Sequence, residues 1–401
     1  MSDDTIDVND ETRLSERPNK KILIVTRVHN SMGGQMTPVR KIIEFVKELP
    51  RFCDILICVG VADQDERTSY LNDLRKKCKN IEAERKFEQN SNLSLQNECK
   101  NHHSSASIHI LDINPWGSFT HALNVAVGFG IQNSFDLILF MSLELQTTHE
   151  LVQKLAKYFE PPTLVTNDKN ACFCIDDTLV VGSRLPGHDF YFSEQDSTIF
   201  NYETEGQNQT NDNLSSRLDP SSQSCSNCSS KTLPLRGRTC PWNTIAMWDI
   251  SKLAITGFPL IADGGIYSVY NEKKINSTKT MTDNGLIDDD SNVKTNGSNN
   301  HSKTLDIVSA INAKITVKGG VEEVSAISLL QKLHPEYKAI LIDATEGVDY
   351  KWNTVDFKSK DDKSNELRRE WHKSKMESKD ERPRLQMQLM GIPMGKVYHL
   401  K

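Results

Sequence analysis

The sequence lacks any long apolar run. No hydrophobic stretch approaches the roughly 18–20 residues that a membrane-spanning helix needs, so no transmembrane segment is expected. The first 21 residues, MSDDTIDVNDETRLSERPNKK, are polar and acidic, and they contain no apolar core of the kind found in export signals. These two absences predict a cytoplasmic protein.

The sequence also lacks a strong charge of either sign. Its formal net charge is −6 over 401 residues. Surfaces that bind nucleic acid, and polybasic membrane anchors, carry a marked excess of Lys and Arg. We therefore expect no nucleic-acid partner.

Paired cysteines are lacking as well. The nine cysteines are scattered and odd in number, which in a chain without an export signal predicts free thiols. Cys225 and Cys228 form a C-x-x-C, but no second well-spaced pair or histidine lies nearby, as a zinc site would require. A chance occurrence in a Ser-rich stretch is the favoured interpretation, and a metal site stays open.

Apolar runs and helical patterns alternate through the first 160 residues. KILIVTRV, CDILICVGVA, SIHILDIN and FDLILFMSLELQ predict buried strands, because each is continuously apolar rather than alternating. Amphipathic segments separate them; in the third, Phe119, Leu123, Val127 and Ile131 are expected on one buried face. This order predicts an α/β fold, a three-layer α/β/α arrangement with a mostly parallel central sheet.

Composition divides the chain into three parts. Residues 1–19 are predicted to be a disordered tail, and residues 356–401 a charged C-terminal extension. Residues 20–355 are predicted to form one α/β domain with halves at 20–160 and 161–355. Two inserts near 196–236 and 271–303, rich in Asn, Ser, Asp and Thr, are predicted to be disordered loops.

Polar side chains follow the predicted strands. Arg27 and His29 end the first strand, Asp63 follows the second, and Ser142 and Glu144 end the fourth. Ligands bind beyond the carboxyl ends of the strands in open parallel sheets, so these residues are expected near a site.

Four segments, taken in order, resemble glycosyltransferase family 2, whose members have the A-type glycosyltransferase fold. The segments are NPWGSFTHALNVAV, DLILFMSLELQ, PWNTIAMWDISKLAITGFP and GGVEEVSAISLL, and the resemblance covers most of residues 20–345. It implies transfer of a sugar from a nucleotide-sugar donor to an acceptor hydroxyl with inversion of the anomeric configuration. Residues 20–160 would then be the nucleotide-binding half and residues 161–355 the acceptor half.

The resemblance assigns roles to particular residues. Glu323 or Glu322, at the start of a helix, would be the general base that takes the proton of the acceptor hydroxyl. The residues implied in binding the donor nucleotide are Arg27, His29, Asp63, Asn114, Gly117, Asn124 and Ser142.

The expected metal motif is altered. Where the family has Asp-x-Asp, this chain has Ser142-Leu143-Glu144, and Trp248-Asp249 replaces an aromatic-Arg pair. A divalent cation, Mn²⁺ or Mg²⁺, would be held by Glu144, with His372 as a further ligand. Otherwise basic groups neutralise the diphosphate, or activity has been lost.

Two other functions remain as alternatives. A catalytically inactive glycosyltransferase-like domain could bind a nucleotide or a protein, and Ser142 favours it. A sugar-phosphate nucleotidyltransferase would need a Gly-rich basic loop after the first strand, which RVHNSMGGQMTPVRK supplies only in part.

Overall fold

The computed structural model describes residues 20–30, 36–93, 106–160, 177–190, 230–270, 312–319 and 321–352, together with 370, 374 and 377–400. The predicted N-terminal tail, most of both predicted inserts, the C-x-x-C and His372 lie outside these residues.

The described residues form strands, helices and one 3₁₀ helix in the following order. The strands are β1 (Ile22–His29), β2 (Asp54–Gly60), β3 (Ile108–Asp112), β4 (Leu137–Met141), β5 (Leu145–Thr147), β6 (Thr178–Ser183), β7 (Ser230–Pro234), β8 (Ile245–Asp249), β9 (Gly264–Tyr270), β10 (Asn312–Lys318), β11 (Lys338–Ile342), β12 (Tyr350–Trp352) and β13 (Lys396–Leu400). The helices are α1 (Val39–Glu48), α2 (Gln64–Leu93), α3 (Phe119–Gln132), α4 (His149–Lys157), α5 (Ile250–Leu253), the 3₁₀ helix (Leu260–Asp263), α6 (Glu322–Leu333) and α7 (Glu381–Met390).

A nine-stranded sheet forms the centre of the molecule. Its strand order is β3-β2-β1-β4-β8-β6-β11-β13-β7. Strand β8 runs antiparallel to both neighbours and β7 antiparallel to β13, while the other pairings are parallel. The predicted α/β class with a large, mostly parallel sheet is therefore confirmed.

The face of the sheet that each helix covers depends on the direction of its crossover connection. The connections through α1 and α2 step from β1 towards β3, whereas the connection through α3 steps back from β3 to β4. Since such crossovers are right-handed, α3 lies on the face opposite α1 and α2. The packing agrees, because α1 contacts α2 while α3 contacts α5 and the 3₁₀ helix.

The sheet extends beyond the predicted domain. Strand β13 pairs with β11, so part of the segment predicted as a C-terminal extension belongs to the central sheet. Strand β7, within the predicted insert at 196–236, pairs with β13 at the sheet edge. Short strands flanked by polar sequence give little apolar signal, which is why composition assigned β13 to the C-terminal extension and β7 to a loop within the domain.

The central strands are almost completely buried. Every residue of strands β4, β6 and β8 is buried, and the polar residue Asp249 at the end of β8 is 9% exposed. Trp248 and Phe140 are among the largest fully buried side chains. Within the described residues, no helix is long and apolar enough to cross a membrane.

Candidate active site

A cavity of about 670 Å³ opens at the carboxyl ends of β1 and β4. These neighbouring strands mark the point where the chain reverses its direction of travel across the sheet, and α/β proteins commonly bind ligands there. The lining residues are Arg27, His29, Trp116, Phe119, Met141, Ser142, Trp242, Asn243, Thr244, Asp263, Gly319, Val321, Glu322, Glu323, Ser374, Ser378, Lys379 and Arg382.

The end of β1 supplies two basic side chains held by aromatic rings. The Arg27 guanidinium lies 4.4 Å from the centre of the Phe119 ring. The His29 ring stacks on Trp116 with ring centres 4.8 Å apart. Burial, and then the positive charge of Arg27, lower the pKa of His29. The imidazole is therefore more readily neutral than an exposed histidine, while Arg27 carries a permanent charge.

A pair of buried carboxylates lies at the start of α6. Glu322 is 4% exposed and Glu323 is 6% exposed. The residue before them, Val321, has a φ of +96°, a left-handed conformation that is costly for a β-branched side chain. This strained cap fixes the direction from which the two carboxylates enter the cavity wall.

Burial changes the protonation of Glu323. Burial raises its pKa to about 7, and the negative charge of Glu322 adds to the rise, whereas Lys379 and the Asn243 backbone N–H oppose it. A carboxyl group with a pKa near neutrality can accept and release a proton at physiological pH, as a general base must.

Asn243 connects the carboxylate pair to the core. Its backbone N–H donates to Glu323 Oε1 at 2.6 Å, and its side-chain Nδ2 donates to Glu322 Oε1 at 3.3 Å. Its Oδ1 accepts from the indole Nε1–H of the buried Trp248 at 2.9 Å. Both glutamates are therefore tied to the loop that leads into β8.

The C-terminal segment, meaning residues 377–390 up to the end of α7, brings two further cations to the cavity. Lys379 Nζ lies 3.0 Å from the centre of the Trp242 ring. Arg382 Nη1 donates to the Gly319 carbonyl, and Arg382 Nε donates to the Ser378 carbonyl at 3.2 Å. Burial lowers the pKa of Arg382, which Glu322 and Glu323 counteract, and the group keeps its charge.

An ion pair holds this segment against the body of the domain. Asp380 accepts from both the backbone N–H and the Nε of Arg238, each at 3.0 Å. A Cβ on Gly237 would lie 1.9 Å from the Lys379 carbonyl oxygen, so the two backbones approach closely. Lys379 and Arg382 are thereby placed beside carboxylates that precede them by more than fifty residues.

The Trp242 ring is covered on both sides. His188 stacks on it with ring centres 3.7 Å apart, which leaves the opposite face for Lys379. The Leu185 N–H donates to His188 Nδ1 at 2.9 Å, and His188 Nε2 donates to the Cys240 carbonyl at 2.9 Å. Trp242 therefore forms a rigid cavity wall and cannot stack on a ligand with either face.

The structure brings five of the predicted site residues into this cavity. They are Arg27, His29, Ser142, Glu322 and Glu323.

Two other predicted donor-binding residues contact the protein backbone instead. Asp63 caps α2, since its Oδ1 accepts from the N–H groups of Asp65 and Glu66. The Asn124 side chain donates to the Phe258 carbonyl at 3.0 Å and accepts from the Phe258 N–H at 2.7 Å. Both side chains have structural roles, and neither lines the cavity.

Three further predicted residues, Asn114, Gly117 and Glu144, do not line the cavity. Asn114 and Gly117 are exposed in the turn before α3. Glu144 is also exposed and does not line the cavity, although its N–H lies 3.4 Å from Ser142 Oγ. His372 lies outside the described residues.

The described part of the predicted metal-binding set, Ser142 and Glu144, does not fit a divalent cation. Ser142 contributes only a hydroxyl to the cavity, and the carboxylate of Glu144 lies outside it. Across the part of the chain that the structure describes, no three His, Cys, Asp or Glu side chains are grouped to hold a metal ion.

Several lining residues carry no recognisable sequence signal. Asn243 sits in an ordinary PWNT segment, and Asp263 precedes a glycine pair. Asp263 accepts from the Thr120 N–H at 2.7 Å and from the Thr120 hydroxyl, so it also anchors the start of α3. Lys379 and Arg382 belong to a charge run that favours a solvated helix face, and only the fold places them at the cavity.

Burial of His399 should make stability depend on pH. The ring is completely buried and stacks on Phe190, and burial lowers its pKa from 6.5 to about 4, against the effect of its bond to the Thr239 carbonyl. The unfolded chain therefore binds a proton below pH 6.5 that the folded chain binds only near pH 4.

We compare the free energy of unfolding of wild type with that of His399→Gln. As the pH is lowered from 6.5 to 4, we expect this difference to shift against wild type by about 2–3 kcal/mol. Denaturant unfolding of both proteins across this range measures it. A difference that does not change with pH would contradict the prediction.

Comparison with models of protein families and with curated proteins finds no match to this chain.

Proposed function

We propose that the chain transfers a sugar from a nucleoside-diphosphate donor to an acceptor hydroxyl, with Glu323 as general base. The observation that carries the proposal is the position of Glu323. It is a buried carboxylate with a pKa of about 7, and it lines a cavity at the switch point of a parallel sheet.

The charges around the cavity support a phosphorylated donor. His29 at the end of β1 offers an imidazole whose pKa is lowered, and the charges come from Arg27 on the same strand and from Lys379 and Arg382, which reach the cavity from the C-terminal segment. A departing nucleoside diphosphate carries negative charge that must be neutralised, and Arg and Lys provide charge-assisted hydrogen bonds to phosphate oxygens. We therefore assign to these groups the neutralisation that a metal provides in Asp-x-Asp enzymes.

The reaction can be written with the residues present. Glu323 takes the proton of the acceptor hydroxyl as the oxygen attacks the anomeric carbon. The new C–O bond forms while the bond to the diphosphate oxygen breaks, and the diphosphate leaves with the electron pair. A direct displacement of this kind inverts the anomeric configuration.

The architecture supports the A-type glycosyltransferase fold as part of the same proposal. The sheet is large and mostly parallel, and two of the four segments that resemble family 2 supply its neighbouring strands β4 and β8. Residues of the second and fourth segments, Ser142 and Glu323, line a single cavity although about 180 positions separate them along the chain.

Nucleotide binding tests the proposal directly. We expect UDP or GDP to bind in calorimetry with an affinity that 5 mM EDTA or added Mn²⁺ changes by less than about twofold. Arg382→Gln should weaken binding by about tenfold or more, because it removes a charged phosphate partner.

Glu144→Ala is the matched control, since its carboxylate lies outside the cavity lining, and it should leave binding unchanged. Absence of nucleotide binding would overturn the proposal. Binding that requires Mn²⁺ and Glu144 would restore the metal site that the sequence resemblance implies.

An inactive nucleotide-binding domain is the second candidate. The replacement of the first motif carboxylate by Ser142 favours it. The two functions differ in Glu323, which a pure binding domain does not need. Detectable sugar transfer or donor hydrolysis that disappears in Glu323→Gln would exclude the inactive domain.

A further inference from the structure

We propose that Asn243 is a positioning residue that orients the Glu322–Glu323 pair, and that Trp248 fixes the direction of the Asn243 amide. The importance of this arrangement for sugar transfer rests on the proposed function. The arrangement itself does not, because the contacts and their effect on the carboxylates exist in the protein without substrate.

The indole of Trp248 determines which way the amide points. An indole N–H can only donate, so the Asn243 atom that faces it at 2.9 Å must be the oxygen. The amide nitrogen then faces Glu322 Oε1 at 3.3 Å. A rotated amide would place its oxygen against the carboxylate and its N–H₂ against the indole N–H, and both contacts would be repulsive.

The backbone of the same residue holds the second carboxylate. The Asn243 N–H donates to Glu323 Oε1 at 2.6 Å. One residue, 5% exposed, thus donates to both members of a buried carboxylate pair. Trp248 has no exposed surface, so its packing in the core holds the Asn243 amide in place through the indole hydrogen bond.

The pair requires such donors because like charges are buried together. Among the described residues, the charged and titratable groups that act on Glu323 are Glu322 from its own helix, Lys379 from the C-terminal segment, Arg382 from α7 and Cys240 from the loop before β8. Lys379 also lies over Trp242, and Arg382 bonds to backbone carbonyls. Asn243 is the neutral group that bonds directly to both carboxylates.

Asn243→Asp should therefore change the titration of Glu323 while preserving the shape of the pair. The aspartate is isosteric, keeps an oxygen towards the indole, and retains the backbone N–H. It replaces the donor to Glu322 with a third carboxylate beside the pair, and this added like charge should raise the pKa of Glu323 by about one unit or more.

The experiment measures the titration without using activity. Unfolding free energy is measured from pH 4 to pH 9 for wild type and Glu323→Gln. The difference between them changes with pH between the unfolded-state and the folded-state pKa of Glu323 and then levels off, and the pH at which it levels off gives the midpoint of the folded-state titration of Glu323. The same difference is then measured in Asn243→Asp, in Trp248→Phe and in Asn133→Asp. Asn133→Asp is the matched control, because it adds the same charge at the exposed end of α3.

We expect the midpoint to rise by about one pH unit or more in Asn243→Asp, to rise by less in Trp248→Phe, and to stay in place in Asn133→Asp. If Asn243→Asp does not fold, Trp248→Phe decides. A midpoint that moves no more in either site variant than in the control overturns the proposal. If the midpoint moves but no variant or wild type transfers sugar, the positioning role stands and the proposed function fails.

Discussion

If the chain transfers sugar as proposed, Glu323→Gln should lower the rate of that transfer by about 10²–10⁴-fold, the usual loss when a general base is removed. Glutamine keeps the size of the side chain and an oxygen that can accept from the Asn243 N–H, so the cavity should remain intact. What disappears is the ability to take a proton from the acceptor hydroxyl. Nucleotide binding should be preserved within about twofold, because the cationic groups are unchanged.

The same substitution, which lowers activity, should raise stability above neutral pH. The folded-state pKa of Glu323 is raised to about 7 from the ordinary 4.5, so the folded protein retains a proton that the unfolded chain loses near pH 4.5. Its contribution to stability is complete below pH 4.5 and is lost as the pH rises to 7. At pH 8, Glu323→Gln should thus be more stable than wild type by about 1–3 kcal/mol.

Rate and stability together make a demanding test. Wild-type activity should rise as the pH increases through 7, because the base must be ionised, while wild-type stability falls. Glu150→Gln, on the exposed first turn of α4, is the control and should change neither quantity. A Glu323→Gln protein that retains more than about a tenth of the activity would remove Glu323 from the mechanism.

The sequence predicted the alternation of strands and helices because continuous apolar runs are strong signals. Strands β1 to β4 and helices α1 to α4 lie where the apolar patterns place them. The buried face of α3 was less predictable. Phe119 and Ile131, expected in the core, are 44% and 49% exposed.

Close packing explains the change in α3. The helix buries small residues, and a Cβ on Gly130 would lie 2.9 Å from Ile250 Cδ1 of α5. Leu123 and Val127 stay buried beside these small residues, whereas Phe119 and Ile131 at the two ends of the helix are partly exposed, and the spacing of large apolar residues alone does not reveal this. Strand direction is similarly hidden, since β8 reads as an ordinary apolar strand and its antiparallel pairing depends on the topology.

The candidate site was predictable where a general rule applies. Arg27, His29 and Ser142 follow strand ends, and the carboxyl ends of parallel strands meet at one edge. Asp63 and Asn124 satisfy the same kind of pattern but bond to nearby backbone groups. Whether a polar side chain faces a ligand or the backbone depends on tertiary contacts that the sequence does not display.

Trp248→Ala should destabilise the protein by about 3–5 kcal/mol, the second large effect that we expect. Trp248 is fully buried on β8, the antiparallel strand between β4 and β6. Its ring packs edge-on against Phe258 with ring centres 5.3 Å apart, and Phe258 packs on Phe140 at 5.7 Å. Truncation would leave a cavity among these rings, and the buried Asn243 Oδ1 would lose its donor.

Two further variants separate these losses. Trp248→Phe fills most of the space and removes only the indole N–H, so it should cost about 1–3 kcal/mol, the penalty for an unsatisfied buried acceptor. Leu333→Ala, at a position 53% exposed, is the control and should cost less than about 0.5 kcal/mol. Chemical denaturation at pH 7 measures all three. If Trp248→Ala cost no more than Leu333→Ala, the centre of the sheet could not be packed as described, and the support for Asn243 and the carboxylate pair would be lost with it.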